Sequence, residues 1–368
     1  MRTLRRLLYG EVLRTVALVT LGFLALFSFF DLVEEVQSVA RHTGQGYRLV
    51  HAMVYVALLM PTHLYELLPI TVLIGTIFVM ARLAQSSEYT ILRTSGLGPG
   101  RALRALLTLG LGFAVLTFAL GDYLAPWADR NAQLLKARHT GRLTVGQTGA
   151  WLKERQGASQ YAVNVAELGP DGRLHGVRIF GFDARARLQT LVEADAALIA
   201  DDQTWLLSGV RLTRIDSDAP DSPPVQHQTL AQWRWPSQIS ATMVTTAVLK
   251  PERMRTVDLF AYIGHLQANA QTAQRYEIEF WKKVFYPLSC LVMVVLALPF
   301  AYLHFRNTGL TTYVFGGVMA GISFFLLNNV FGYMGTLQHW QPWLAAALPG
   351  LIYSLISLAA FTWLVLRR

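Results

Sequence analysis

Apolar runs close to bilayer length fill the first third and last quarter of the chain, and a polar, turn-rich block from about Ala125 to Lys283 separates them. Crossing the hydrocarbon as an α-helix takes about 20 apolar residues. Six segments qualify: Leu13 to Phe30, Thr62 to Ala81, Leu103 to Leu124, Val284 to Tyr302, Thr311 to Phe331 and Trp343 to Leu366. A further apolar stretch, Ala52 to Met60, precedes the second span. Pro61 stands between the two, and a proline inside a helix removes one hydrogen bond and collides with the preceding turn. The earlier piece therefore reads as interfacial or as a kinked extension. In the middle block the pattern changes to period two, as in Tyr161, Val163, Val165 and in Trp233, Trp235, with turn clusters at Gly169-Pro170-Asp171-Gly172 and Ser222-Pro223-Pro224. Alternation broken by regular turns predicts strands. They run near Leu143 to Glu154, Gln160 to Leu168, Gly176 to Asp183, Leu188 to Ile199, Thr204 to Ile215 and Val225 to Trp235, as an antiparallel sandwich or roll. From Asp258 to Phe280, Leu259, Ile263, Leu266, Ala270, Ala273 and Tyr276 recur at helical spacing, so one helix should lead into the fourth span.

The expected fold is thus an α-helical membrane protein with six transmembrane helices and an inserted all-β, jellyroll-like domain. Its divisions fall at residues 1–124, 125–257 (the β-domain), 258–283 (the connecting helix) and 284–368. Composition agrees: of 368 residues, 53% are hydrophobic and 15% charged, on the apolar side of soluble proteins. The formal charge of +9 does not imply nucleic acid, because the excess sits in short segments beside the spans. Arg2, Arg5, Arg6 and Arg14 precede or open the first, Arg82, Arg93, Arg101 and Arg104 follow the second, Arg306 follows the fourth, and Arg367 and Arg368 end the chain. That distribution is the positive-inside signal. It places both termini in the cytoplasm and the β-domain outside, which in a Gram-negative cell is the periplasm. No small-x-small cleavage site follows the first apolar run, so it reads as an uncleaved span. The single cysteine, Cys290, lies in an apolar run, which leaves the β-domain to stand on its own core.

Between the second and third spans, Ser86 or Ser87 can start a helix and Gly96 with Pro99 can stop it. Two turns are too few to stand alone. Two readings remain from spacing: a helix that packs on a cytoplasmic partner through Glu88, Tyr89, Ile91 and Leu92, or a loop helix on the membrane with Glu88 complementing the helix dipole. Glu66, beside His63 near the outer end of the second span, is read as snorkelling to the interface. There is no phosphate-binding GxxxxGK[ST] loop, no HExxH or paired-histidine spacing and no nucleophile elbow, so no catalytic, metal or nucleotide site is assigned.

The string SEYTILRTSG from Ser87, the Gly44-Gln45-Gly46 loop, WKKVFYPLS from Trp281 to Ser289 and LALPF from Leu296 to Phe300 resemble the LptF/LptG family of lipopolysaccharide-export permeases. The resemblance covers nearly the whole chain, and the Gly-Gln-Gly and WKKVFYPLS segments are more like the LptG branch. It implies a non-catalytic permease half of an ABC transporter in the inner membrane, with no cofactor in this chain and ATP and Mg bound by a partner ATPase. The implied partners are an LptF permease, an LptB dimer, LptC and, through the periplasmic bridge, LptA. The short cytoplasmic helix, about residues 86–95, becomes the coupling helix, with Ser87, Glu88, Tyr89, Ile91, Leu92, Arg93 and Gly96 facing the ATPase. Arg93 departs from the uncharged residue expected there.

A phosphorylated lipid headgroup favours cations at the outer end of the first span. The family stretch is lysine-rich, whereas this chain has Asp31, Glu34 and Glu35 first and then Arg41 and His42. Arg41 and His42 are headgroup candidates, and Glu35 would meet a cation on the lipid or on LptF. Phe27, Phe30, Phe315 and Phe324 are candidates for acyl-chain contact, with lipid-facing or packing roles as the alternative. Gly316, Gly317 and Gly321 would let the fifth span approach a neighbour closely. A permease for lipoproteins or another lipid, and a membrane-anchored β-domain scaffold, are the rival functions.

Overall fold

The computed structural model describes residues 2–41, 47–86, 98–140, 143–144, 150–157, 159–169, 172–201, 204–215, 225–240, 243–244, 251–269, 271–302 and 310–366. The chain divides into two compact units, Met1–Glu35, Val56–Asp129 and Gln274–Arg368 in one, and Val36–Tyr55 and Arg130–Ala273 in the other.

Among the described residues, six helices are long and apolar enough to cross a membrane. They are built from α1 (Arg2–Arg41), α2 (Leu49–Gln85), α3 (Pro99–Ala119), α6 (Gln274–Phe285) with α7 (Ser289–Ala297), α8 (Leu310–Leu337) and α9 (Pro342–Leu366). A π-turn, Leu120–Leu124, joins α3 to α4 (Ala125–Thr140). Pro61 does not break the second span: α2 is one helix with Pro61 and Pro69 inside it. Neighbouring helices make such prolines tolerable in a membrane span.

The most buried span is α2, and glycines on it and on other helices let neighbours approach closely. A Cβ on Gly75 would lie 2.7 Å from Val16 Cγ2 of α1, and one on Gly110 of α3 would lie 3.2 Å from the α7 backbone at Leu291. Three polar rungs tie α1 to α2: Glu11 to Arg82 Nη2 at 2.6 Å, Thr20 Oγ1 donating to Thr71 Oγ1 at 2.9 Å, and Asp31 to His63 Nε2 at 2.6 Å. Their residue numbers rise along α1 and fall along α2, so the two helices are antiparallel. In an apolar medium such close approach and such bonds do the work that water-driven burial does elsewhere.

The second unit is built on one antiparallel sheet of seven strands: β1 (Leu143–Thr144), β2 (Ala150–Gln156), β3 (Ser159–Leu168), β4 (Leu174–Phe182), β5 (Leu188–Asp201), β6 (Thr204–Ile215) and β7 (Val225–Pro236). From β3 to β7 each strand pairs with the next, while β1 and β2 both pair with the same edge of β3. The first expected strand is therefore two, and the segment at Ala125–Thr140, placed in the β-domain by the sequence, is helical. Its polar face disguised it as a domain boundary.

The sheet is rolled. Flat, it would hold β3 and β7 about 19 Å apart at normal strand spacing, yet the rings of Tyr161 on β3 and Trp235 on β7 are 5.8 Å apart between centroids. Gln156 Nε2 at the end of β2 donates to Pro236 O at the end of β7 at 2.8 Å. The inner face gathers Leu152, Val163, Val165, Ile179, Val192, Trp205, Leu207 and Val210. Gly209, at φ +65°, makes the kink inside β6, and the Asp195 side chain occupies the space where a Cβ would go. The segment after β7 seals the roll: Trp205 Nε1 donates to Ile239 O at 2.8 Å. Nearby, buried Glu154 accepts from Ser237 Oγ at 2.6 Å, Gln238 N at 2.7 Å and Gln156 Nε2 at 3.0 Å. Three donors offset the cost of burying that carboxylate.

The connecting helix of the sequence reading is two helices, α5 (Thr256–Ala268) and α6, parted after Asn269. Asn269 is spent elsewhere: its Oδ1 accepts the backbone N–H of Arg155 at 2.9 Å, and its Nδ2 reaches His265 O at 2.9 Å. Burial holds the His265 imidazole below its ordinary pKa, and Glu154 opposes that shift.

Trp205→Ala should cost the roll about 3–5 kcal/mol, read as loss of protease resistance of the strand block while the helices stay in the membrane. The folded state binds fewer protons at His265 than the unfolded state does. Stability from this residue is therefore complete above its ordinary pKa and declines as pH falls through the window below it. Amide protection factors in Thr256–Ala268, which are corrected for the intrinsic pH dependence of exchange, should fall from pH 7.5 to 5.5, and His265→Gln should remove that fall.

Candidate functional site

The helices present two kinds of surface. On α1, Leu18, Leu21, Phe29 and Phe30 are exposed, with Phe27 just so, and on α8 Phe315, Met319, Ile322, Leu326, Val330 and Tyr333 are exposed. Phe27, Phe30 and Phe315, three of the four acyl-chain candidates, thus stand on open apolar faces. Phe324 does not: at 2% exposure it packs in the protein with Leu73, Ile77 and Met293, edge-on to Tyr353 at 5.1 Å.

Helix phase explains the difference. Residues three, four and seven apart share a face, so Gly317, Gly321 and Phe324 point one way and Phe315, Met319, Ile322 and Leu326 another. A Cβ on Gly317 would lie 2.8 Å from Ile77 Cδ1, and one on Gly321 would lie 2.7 Å from Ile70 Cγ2. Both glycines therefore seat α8 on α2. A Cβ on Gly316 would have nothing within 4 Å among the described residues, so Gly316 does not seat α8 on α2. Gly317 already marked the packing face in the sequence, and Phe324, seven residues on, shares it.

At the outer end of the first span the expected headgroup constellation is altered. Glu35 is 4% exposed and engaged within the chain, so it is not offered to a lipid or to another subunit. Arg41 is the last residue of α1 and its side chain is not described, and His42 lies outside the described residues. Asp31, whose charge opposed the expectation, is taken up by His63, with the Phe27 ring 5.4 Å from the imidazole. Glu66 is exposed, and its backbone carbonyl accepts from Tyr286 Oη at 2.6 Å.

The coupling candidates Ser87, Glu88, Tyr89, Ile91, Leu92, Arg93 and Gly96 all lie outside the described residues. The elements that bracket them are defined. After α2, Ser86 N donates to Arg82 O at 3.0 Å, and Gly98 with Pro99 opens α3, where Arg101 N donates to Gly98 O at 3.0 Å. The Glu11–Arg82 rung pins α1 to α2 at this same end.

Sequence reading missed a polar knot around the WKKVFYPLS run. Gln274 Nε2 donates to Gly335 O at 3.2 Å and to Trp340 O at 2.6 Å, Lys282 pairs with Glu279 at 2.6 Å, and Lys283 Nζ donates to Gly121 O at 3.1 Å. The family signature at Trp281 to Ser289 was the only available signal, and it carried no hint of partners.

Gly321→Leu should force α8 off α2 and lower the yield of folded protein in mild detergent several-fold, the expected outcome of overpacking a close contact by a few kcal/mol. Gly316→Leu, on open surface, should leave the yield and the gel-filtration profile unchanged.

Comparison with known proteins gives the arrangement its context. The family model described as lipopolysaccharide export system permease LptF/LptG matches residues 6–365. The chain is 26% identical over 363 residues to the lipopolysaccharide export system permease protein LptG of Escherichia coli strain K12, covering 98% of this chain and 97% of that one. It is 24% identical over 369 residues to LptG of Haemophilus influenzae, covering 100% and 99%. With six spans, a β-unit inserted after the third and a match over almost every residue, the chain belongs to the LptF/LptG family of lipopolysaccharide export permeases.

Proposed function

We propose that this chain is one permease half of an ABC transporter that withdraws lipopolysaccharide from the inner membrane and passes it toward the outer membrane. The family match from residue 6 to residue 365 carries that reading. The sequence holds no GxxxxGK[ST] phosphate-binding loop, which supports a reading in which a partner ATPase binds ATP and Mg. An LptB dimer would supply the ATPase, an LptF chain the second permease half, and LptC and LptA the acceptor path.

The arginines of the short loops support an orientation with both termini and residues 87–97 in the cytoplasm and the β-unit in the periplasm. The coupling segment would then stand between α3 and α2, the latter braced to α1 at that end by the Glu11–Arg82 pair. A push on that segment would reach the membrane through α2, on which α1 and α8 are both seated. The open aromatic faces of α1 and α8 would border the lipid path, through Phe27, Phe30 and Phe315, with Arg41 and His42 as the remaining cationic candidates for the headgroup phosphates.

Glu88→Lys should leave the subunit in the membrane and in the complex. Lipopolysaccharide released per ATP hydrolysed in proteoliposomes should fall about tenfold or more, as expected for reversing a charge inside an interface. Normal release by that variant would remove Glu88 from the coupling role. If the wild-type complex copurified with and released lipoprotein instead, the cargo assignment would fall.

A further inference from the structure

The π-turn at Leu120–Leu124 interrupts the helix by which the chain leaves the membrane unit, and α6 begins the return. In the turn Ala125 N donates to Leu120 O, five residues back. A π-turn holds one residue more than the α-helix it interrupts, so its gain or loss turns everything beyond it by about 100°. A joint that gained or lost that residue would have two discrete settings, and a contact on the turn could choose between them.

Two contacts meet at Gly121. From α2 the Tyr65 ring presses so close that a Cβ on Gly121 would overlap three of its carbons. From α6 Lys283, only 7% exposed, donates its ammonium to the Gly121 carbonyl at 3.1 Å. The circle closes between α2 and the segment after α6, where Tyr65 and Tyr286 stand 5.1 Å apart between centroids and Tyr286 Oη donates to Glu66 O. The other end of α6 holds the α8–α9 connection through Gln274. A buried ammonium is costly unless its hydrogen bonds are made. This one uses a bond on the backbone carbonyl of the turn.

We propose that Lys283 is a positioning residue for coupled transport: by gripping the Gly121 carbonyl it keeps the π-turn in one setting, so the outgoing helix and α6 move as one piece when the membrane helices are driven. The proposal rests on the permease reading above. It predicts that loss of the grip lets the joint slip, so that hydrolysis continues while cargo movement fails.

The test uses the full chain in its assembled complex. Spin labels on cysteines replacing Trp127 of α4 and Tyr333 of α8, both exposed, read the joint, and wholly buried Cys290 stays unlabelled. Wild type should give one narrow distance. Lys283→Met should broaden it or add a second distance, and lipopolysaccharide released per ATP should fall about tenfold, the scale of one lost charge-assisted bond. Lys283→Arg keeps a cationic donor and should restore the narrow distance and most of the ratio.

Gly121→Ala leaves the ammonium in place but must displace Tyr65 or the turn, and it should reproduce the loss. It decides the matter if Lys283→Met does not accumulate. An unchanged distance or a normal ratio in either variant would overturn the proposal, as would failure of Lys283→Arg to restore both. The distance does not depend on cargo. A wild-type complex that moves no lipopolysaccharide, but whose label distance responds to Lys283→Met, would sink the permease reading and leave the lock standing.

Discussion

In hydrocarbon an apolar side chain gains little by leaving lipid for protein, so a bundle of spans must hold itself by close fit and by the few polar bonds it encloses. That constraint organises the whole membrane unit. Gly75 admits Val16, while Gly317 and Gly321 bring α8 against Ile77 and Ile70. Each contact lands on α2 or departs from it. The three rungs between α1 and α2 then set the register of the pair, because a one-turn slide would strand Asp31, Thr71 and Arg82 without their partners. A helix fixed on two sides in this way transmits displacement rather than absorbing it.

The β-unit solves a different problem with different means. It faces water, so it relies on apolar burial, and one sheet with one apolar face must either find a second layer or close on itself. It closes: Tyr161 meets Trp235 across the interior, and Gln156 ties the ends of β2 and β7. No disulfide is available, since the single cysteine lies in a span. The seal depends instead on Trp205 reaching Ile239 and on Glu154 collecting donors from the chain after β7.

What the sequence disclosed follows the range of the interaction behind it. The spans are local facts of length and hydropathy, and the strands are local facts of alternation, so both were legible as elements, although several helices run well past the expected ends, as α2 does back to Leu49. Phe324 was misjudged from residue type alone, although the Gly317 and Gly321 phase was present in the string. Gly316 was grouped with Gly317 and Gly321 as a small residue, but its phase differs from theirs, and it is Gly317 and Gly321 that meet α2. The break between α5 and α6 hid beneath a continuous helical spacing of apolar residues, because the competing interaction, Asn269 to the Arg155 amide, lies 114 residues away. Glu35 read as a partner for a cation on the lipid or on LptF because nothing local announces its burial. The coupling segment is the reverse case: recognisable as a string, and outside the described residues.

The π-turn left no local sign at all, since one extra residue in an apolar helix has no composition. Its evidence is distant and chemical. Lys283 is buried 162 residues from the carbonyl that it meets, in a unit whose interior otherwise favours apolar groups. Replacing such a group by a packed apolar residue is often neutral or favourable for stability, so bulk stability is a poor reason to place a lysine there. A grip on a backbone that can take two registers is a better one, because an apolar side chain fills space equally well in both and cannot choose between them. The same logic applies to Asp31 and His63, where a polar pair fixes how far α1 has slid along α2. In this bundle apolar fit supplies cohesion, and the scarce buried polar groups specify position.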